Sequence, residues 1–114
     1  MIHRYHTMIA KEVGTTAASI FYHIAYWVKE NQKEHRNYHD DRYWVYGSIR
    51  EMSETTHSYL TENQIRGALD KLVKEGFLDR DNYNRMKYDR TYWYTLTPKA
   101  EEILEKIEML SNKN

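Results

Sequence analysis

Two successive helices are predicted within residues 48–76, SIREMSETTHSYLTENQIRGALDKLVKEG. Ser48 stands three residues before Glu51, and Thr61 stands three residues before Gln64. A hydroxyl residue followed at this spacing by Glu or Gln forms a capping box, which marks the start of a helix. A short helix, a turn and a second capped helix are the helix-turn-helix arrangement.

The two helices of this motif differ in length, and each buries one face. The first is predicted over about 49–54, followed by a turn over 55–60. The second is predicted over about 62–75 and ends at Gly76, because glycine is typical of helix C-termini. The inward residues are Ile49 and Met52 in the first helix, and Ile65, Leu69, Leu72 and Val73 in the second, with Ala68 at the margin.

A longer helix is predicted upstream of the motif. It spans about 16–32 and is capped by Thr15 or Thr16, while a short helix over 7–13 ends at Gly14. One arc of the longer helix is apolar and faces the core. This arc consists of Ala17, Ile20, Phe21, Ile24, Trp27 and Val28.

Strands are predicted on both sides of the helix-turn-helix. Residues 43–46, YWVY, form a strand by composition and follow a polar loop over 33–42. Residues 77–81 and 91–97 form a hairpin around the polar, turn-rich segment 82–90, which gives the motif a wing. The sequence therefore predicts an α+β, mainly α fold: a winged helix-turn-helix with a small antiparallel β-sheet.

A final helix is predicted over about 98–110, because Pro98 suits the first turn of a helix. Residues 111–114 are expected to be a frayed end. The chain is expected to be a single winged-helix domain, 1–114, with an N-terminal extension over 1–15 that contains the short helix. The apolar stripe of the final helix is Ala100, Ile103, Leu104, Ile107 and Leu110.

The composition excludes several classes of protein. Lys plus Arg and Asp plus Glu both number 17, so the formal net charge is zero and a uniformly basic nucleic-acid coat is excluded. The absence of Cys excludes disulfides and thiolate chemistry. No apolar run approaches the ~20 residues of a transmembrane helix, so we expect a cytoplasmic protein without membrane association.

The sequence lacks an arrangement of catalytic residues, so we expect a protein that is not an enzyme and needs no cofactor. It has no paired carboxylates, nucleophile with a base, or Gly-rich phosphate loop. His35, His39 and Asp40 have a spacing typical of metal ligands on a helix, but they lie in a predicted loop. His3 and His6 lie near the N-terminus, and too few ligands accompany either pair for a metal site.

Segments spread over about residues 16–96 share a pattern with one known family. They are AYW at 25–27, YWVY at 43–46, LTENQIR at 60–66, NYN at 82–84 and YDRTYWY at 88–94. Together they resemble the winged-helix domain of phage and plasmid replication initiators (replisome organizers) from Gram-positive bacteria, most specifically in the two wing segments. The resemblance implies a module that binds double-stranded origin DNA.

Two other functions fit the same fold. The segment YTLTPK at 94–99 is similar to the close of the wing in small MarR- or PadR-like transcription regulators, which dimerise through terminal helices. A winged helix used only for protein interaction is the second alternative, and the neutral net charge favours it. The function we expect is duplex DNA binding, in phage or plasmid DNA replication initiation or its control.

The predicted DNA-binding residues lie around the second helix of the motif and in the wing. In the major groove, Arg pairs with guanine edges and Asn or Gln with adenine edges. Helix starts bind phosphate, and wing cations contact the backbone or the minor groove. A glycine within a helix costs ~1 kcal/mol relative to Ala, so it suits a close approach to DNA or to another helix. The predicted contacts are Ser58, Thr61, Asn63, Gln64, Arg66, Gly67, Lys71, Lys74, Arg85 and Lys87.

The aromatic residues have several expected roles. Trp27, Trp44 and Trp93 are expected in the core, because a small domain needs large residues to bury enough area. Tyr83 and Tyr88 in the wing suit either packing or stacking on bases. Homodimerisation and packing within one chain are both compatible with the faces formed by Tyr22, Tyr26, Ile103, Leu104 and Ile107.

Overall fold

The computed structural model describes residues 4–112, and the side chains of residues 9–109. The side chains of His3, His6 and Leu110 lie outside the described residues, as does the end of the chain at 113–114. The elements are α1 (Arg4–Val13), α2 (Thr15–Glu34), β1 (Tyr38–His39), β2 (Arg42–Tyr43), β3 (Val45–Tyr46), α3 (Ile49–Glu54), α4 (Glu62–Lys74), β4 (Leu78–Asp81), β5 (Trp93–Leu96) and α5 (Pro98–Asn112).

The order of elements is that of a winged helix-turn-helix. α3 and α4 are joined by turns, and the β4–β5 hairpin follows α4. β5 lies between β3 and β4 and is antiparallel to both, with Val45 opposite Tyr94 and Leu78 opposite Leu96. The prediction of an α+β, mainly α fold with a small antiparallel sheet is therefore confirmed.

α2 is the central helix of the core. It packs against α1, α4 and β5, and its Phe21 ring meets the Phe77 ring edge-on with centroids 5.8 Å apart. The predicted buried stripe of α4 is confirmed, and Val73 lies at its partly buried edge. The fully buried residues of the two helices include Ala17, Ile20, Phe21, Ile24 and Val28 in α2, and Ile65, Leu69 and Leu72 in α4.

The three tryptophans have different environments. Trp44 is 2% exposed, and its indole N–H donates to the carbonyl oxygen of His39 at 2.8 Å. Trp93 is half-buried, whereas Trp27 is 39% exposed. The prediction of a core position is wrong for Trp27, because this residue lies beyond the edge of the buried arc and lines an open groove beside α3.

The start of α2 depends on a glycine rather than on a threonine cap. Gly14 is the N-cap residue, with φ of 89° and no side-chain cap hydrogen bond, so the predicted cap at Thr15 or Thr16 is wrong. The chain turns between α1 and α2 at a positive φ that glycine adopts without steric cost. α2 continues to Glu34, past the predicted end at residue 32.

The polar segment after α2 contains a small hairpin in place of the predicted loop. β1 pairs with β2 across the two-residue turn of Asp40 and Asp41, which both have positive φ, as in a type I′ turn. The predicted strand over 43–46 is divided at Trp44. The backbone N–H of Trp44 donates to the carbonyl oxygen of Asn37 at 3.0 Å rather than to a neighbouring strand. β2 therefore pairs with β1, and β3 pairs with β5.

Candidate nucleic-acid interface

α4 begins with the predicted capping box. Thr61 Oγ1 accepts the N–H of Gln64 at 3.1 Å, and Gln64 Oε1 accepts the N–H of Thr61 at 2.8 Å. At α3 the structure shows one half of the predicted box: Ser48 Oγ accepts the N–H of Glu51 at 3.2 Å. The cap of α4 uses one lone pair of each of its two side-chain oxygens, and the Thr61 hydroxyl proton and the Gln64 NH₂ are available as donors to a ligand.

The surface of α4 that faces away from the core carries most of the predicted contacts. Arg66 Nη1 donates to Asn63 Oδ1 at 2.9 Å, which holds a guanidinium and an amide side by side. Lys71 lies on the flank near the α1–α2 junction, with its Nζ 3.9 Å from the position of a Cβ built on Gly14. The exposed predicted contacts in this region are Ser58, Thr61, Asn63, Gln64, Arg66, Gly67, Lys71 and Lys74.

Gly67 lies in the middle of the exposed face of α4. A Cβ added there would meet no heavy atom within 4 Å, whereas one added at Gly47 would lie 2.5 Å from the ring of Tyr94. The backbone of Gly67 is helical and has no positive φ. Neither conformation nor packing among the described residues therefore requires a glycine at position 67.

An ion pair joins the exposed face of α4 to the hairpin. Arg80 Nη1 donates to Asp70 Oδ1 at 2.6 Å, and the guanidinium lies 4.6 Å from the centroid of the Tyr92 ring. The hydrogen bond to Asp70 raises the pKa of Arg80. Asp70 lies one helical turn from Arg66 and from Lys74, so the bridge places the hairpin beside the predicted contact surface.

The wing, residues 82–92, is organised by Asn84 and Asp89. Asn84 Nδ2 donates to the carbonyl oxygens of Asp89 and Thr91 at 2.9 and 2.8 Å, and Asn84 Oδ1 accepts the indole N–H of Trp93 at 2.7 Å. The Asp89 carboxylate accepts the N–H of Thr91 at 3.1 Å and the hydroxyl of Tyr46 at 2.8 Å. Hydrogen bonds from Thr91 and Tyr46 lower the pKa of Asp89.

Tyr83 fixes the base of the wing. Its ring stacks on His39 with centroids 4.4 Å apart and an interplanar angle of 9°, and its hydroxyl donates to Asp40. Desolvation and the hydrogen bond to Asp40 raise the pKa of Tyr83 to about 12. Of the two roles considered for this residue, the structure shows packing.

The tip of the wing is cationic and exposed. Arg85, Lys87 and Arg90 form no salt bridge with any residue that the structure describes. Asp89 lies next to Arg90 and two residues from Lys87, and its carboxylate oxygens accept hydrogen bonds from Thr91 and Tyr46 instead. Tyr88 is 80% exposed at this tip.

Sequence reasoning missed a histidine cluster between α2 and the turn before α4. His57 is 5% exposed; its Nε2 lies 3.1 Å from Ser19 Oγ, and its Nδ1 lies 3.0 Å from Thr56 Oγ1. His23 meets His57 edge-on with centroids 5.3 Å apart. Burial, followed by the proximity of His57, lowers the pKa of His23 to about 4. No spacing rule connects His23 with His57, because the contact forms only when the chain folds.

The residues considered for a homodimer do not form one free face. Ile107 is buried, and Ile103 and Leu104 pack against the core of their own chain. Tyr22 is half-buried, while Tyr26 is 51% exposed and packs edge-on against Trp27. Dimerisation stays a prediction, with Tyr26 as the exposed member of the set.

Among the side chains that the structure describes, those of residues 9–109, there is no cluster of three or more His, Asp or Glu that could hold a metal ion. No helix within the described backbone, residues 4–112, is both long enough and apolar enough to cross a membrane. Comparison with protein-family models, with curated proteins and with solved structures finds no match.

Proposed function

We propose that this protein binds double-stranded DNA without catalysis, with α4 in the major groove and the wing on the neighbouring backbone or minor groove. The observation that carries the proposal is Gly67, a glycine in the middle of an exposed helix face that has no neighbour within 4 Å of an added Cβ. Such a residue weakens the helix by ~1 kcal/mol relative to Ala. A close approach of the DNA backbone or base edges to this face explains why the position lacks a side chain.

Base contacts are assigned to the first half of α4. In helix-turn-helix proteins, the N-terminal residues of the recognition helix reach the base edges. Arg66 and Asn63 lie there, exposed and hydrogen-bonded to each other. A guanidinium pairs with guanine and an amide with adenine, so these two residues would supply the sequence preference.

Phosphate contacts are assigned to the residues around this centre. Ser58 and Thr61 lie at the start of α4, Lys74 lies at its end, and Lys71 lies on its flank. Arg85 and Lys87 extend the same set onto the wing. Because the whole chain is neutral, these local cations supply the attraction, and binding weakens as salt rises.

The biological setting rests on the sequence resemblance alone. The segments NYN at 82–84 and YDRTYWY at 88–94 resemble the wing of phage and plasmid replication initiators. We therefore place the protein in DNA replication initiation or its control. A small transcription regulator of the same fold would use the same surface and differ in its DNA site.

The test is a fluorescence-anisotropy titration of a labelled random duplex at low and then physiological salt. The double variant Arg66→Ala/Lys74→Ala should bind at least about tenfold more weakly, because it removes one base contact and one phosphate contact. The matched control is Lys29→Ala/Lys106→Ala, which removes the same charge from α2 and α5, where both lysines pair with glutamates.

Equal losses in the two double variants would mean that only net charge matters and would contradict a site on α4. No binding at low salt by a folded wild-type protein would exclude DNA binding itself. The protein-interaction alternative would then be pursued on the same face of α4.

A further inference from the structure

The wing tip exposes two large apolar side chains among cations. Tyr88 is 80% exposed, and Met86 is 57% exposed. Arg85 and Lys87 lie on either side of Met86, and Arg90 follows Tyr88 after Asp89; these three cations form no salt bridge with the described residues. Burial of the Tyr88 and Met86 side chains against a partner would lower the free energy of the complex. The cations beside them favour a partner that carries negative charge.

The tip is held in place rather than free to fold back over the chain. The N–H of Asp89 donates to the carbonyl oxygen of Met86 at 3.0 Å and closes a tight turn. The Asn84 side chain joins the two sides of the wing by donating hydrogen bonds to the carbonyl oxygens of Asp89 and Thr91. The Tyr88 ring is therefore presented outward by a structured loop, and this lowers the entropy cost of inserting the ring into a partner.

We propose that Tyr88, assisted by Met86, inserts as a wedge between base pairs at the minor groove and bends the bound DNA. This inference rests on the proposed DNA binding by α4. Apolar side chains on minor-groove proteins unstack a base step and kink the duplex by roughly 20–90° toward the major groove. Lys87 directly before the ring and Arg90 two residues after it would neutralise phosphates near the opened step, while the Asp89 carboxylate is engaged by Thr91 and Tyr46.

Duplex DNA fits this tip better than another anionic surface does. The Asp70–Arg80 ion pair joins strand β4 to the face of α4 that carries Asn63 and Arg66, so the hairpin that carries the tip starts beside this face. A membrane would use the tip alone and leave that face, including Gly67, without a role. Vesicle binding is therefore an alternative outcome of the test.

The test measures the end-to-end distance of a bound duplex by energy transfer between dyes on its two ends. Wild-type protein should shorten this distance. Tyr88→Ala should bind within about tenfold of wild type while leaving the duplex straight, because unstacking cost and stacking gain largely offset each other. Tyr88→Phe should keep the bend, since it retains the ring.

The control is Tyr38→Ala, which removes a tyrosine that is 54% exposed on β1. It should leave both affinity and bend unchanged. Folding of every variant is checked by circular dichroism, and the high exposure of Tyr88 makes loss of the fold unexpected.

Each outcome bears on the wedge and on the proposed function separately. A bend that survives in Tyr88→Ala, or a wild-type complex with straight DNA, overturns the wedge and leaves DNA binding standing. Failure of wild-type protein to bind any duplex overturns both proposals. Binding to anionic phospholipid vesicles that depends on Tyr88, without DNA binding, assigns the tip to a membrane surface and also overturns the wedge.

Discussion

At position 67 of α4, helix stability favours alanine, whereas close contact with a ligand favours glycine. Alanine would favour the helix, and the described structure leaves room for its methyl group. The glycine therefore has no compensating benefit within the described part of the chain. A benefit from outside, such as a phosphodiester backbone lying against the helix, resolves the conflict.

Gly67→Ala should accordingly stabilise the folded protein and weaken DNA binding. The expected gain in unfolding free energy is about 0.5–1 kcal/mol, from the lower backbone entropy of the unfolded chain. Urea denaturation measures the first effect, and the anisotropy titration measures the second. A stabilised variant with unchanged affinity would show that DNA does not approach this part of α4.

His23 makes stability depend on pH. Its pKa is about 4 in the folded protein, against the ordinary histidine value of 6.5, so between these values the unfolded chain holds more protons. Stability is therefore lost as the pH falls from about 6.5 to about 4. The pKa of His57 is also lowered by burial, so protonation of either ring opposes their packing.

The free energy of unfolding should fall by about 1–2 kcal/mol between about pH 7 and pH 4.5, after allowance for the solvent exposure of His23. Urea denaturation at several pH values measures this slope. His23→Gln should flatten it, whereas His35→Gln, on an exposed residue just after the same helix, should not. An equally steep slope in His23→Gln would assign the pH dependence to other groups.

At the scale of elements, the wing is stabilised by polar contacts rather than by a core. Asn84 makes three side-chain hydrogen bonds across the loop, at 2.7–2.9 Å. Below it, Tyr83 packs on His39 in the β1–β2 hairpin. The wing is thus fixed by two residues of the NYN segment, which gives that segment a structural role beside any role in binding.

Asn84→Ala should loosen the wing while leaving the rest of the fold intact. Local opening should become easier by about 1–3 kcal/mol, so trypsin should cleave after Arg85 or Lys87 about tenfold faster or more. The control is Asn63→Ala, on the exposed face of α4. Unchanged cleavage in Asn84→Ala would mean that the strands alone hold the wing.

The elements that depend on local signals were predictable from the sequence. The capping pairs at Ser48 and Thr61 defined the starts of α3 and α4, because both partners lie within one helical turn. The features that sequence reasoning missed depend on contacts distant along the chain. They include the division of the strand at Trp44, the exposure of Trp27, and the contact between His23 and His57.

The candidate site, like the fold, was predictable from the sequence only where it depends on local patterns. The exposure of the predicted contacts on α4 followed from helical periodicity, since the buried stripe left the opposite face to solvent. Helical periodicity did not predict that the Gln64 side chain accepts a hydrogen bond in the cap or that Lys71 lies beside Gly14. The bridge from Asp70 to Arg80 also required the folded arrangement of α4 and β4.

At the scale of the whole molecule, a net charge of zero conceals an uneven distribution. The wing tip carries Arg85, Lys87 and Arg90 against Asp89, while α5 carries four glutamates, at 101, 102, 105 and 108, against two lysines, at 99 and 106. The field of such a molecule orients the wing toward a polyanion and α5 away from it. This polarity predicts a defined binding orientation with strong sensitivity to salt.

Addition of duplex DNA to isotopically labelled protein, followed by amide NMR shifts, tests the central claim most directly. We predict that the shifted resonances cluster at residues 63–67, at Lys74 and at the wing residues 85–90, with α5 unchanged. Shifts concentrated on α2 or α5, or spread evenly over the surface, would contradict a binding surface formed by α4 and the wing.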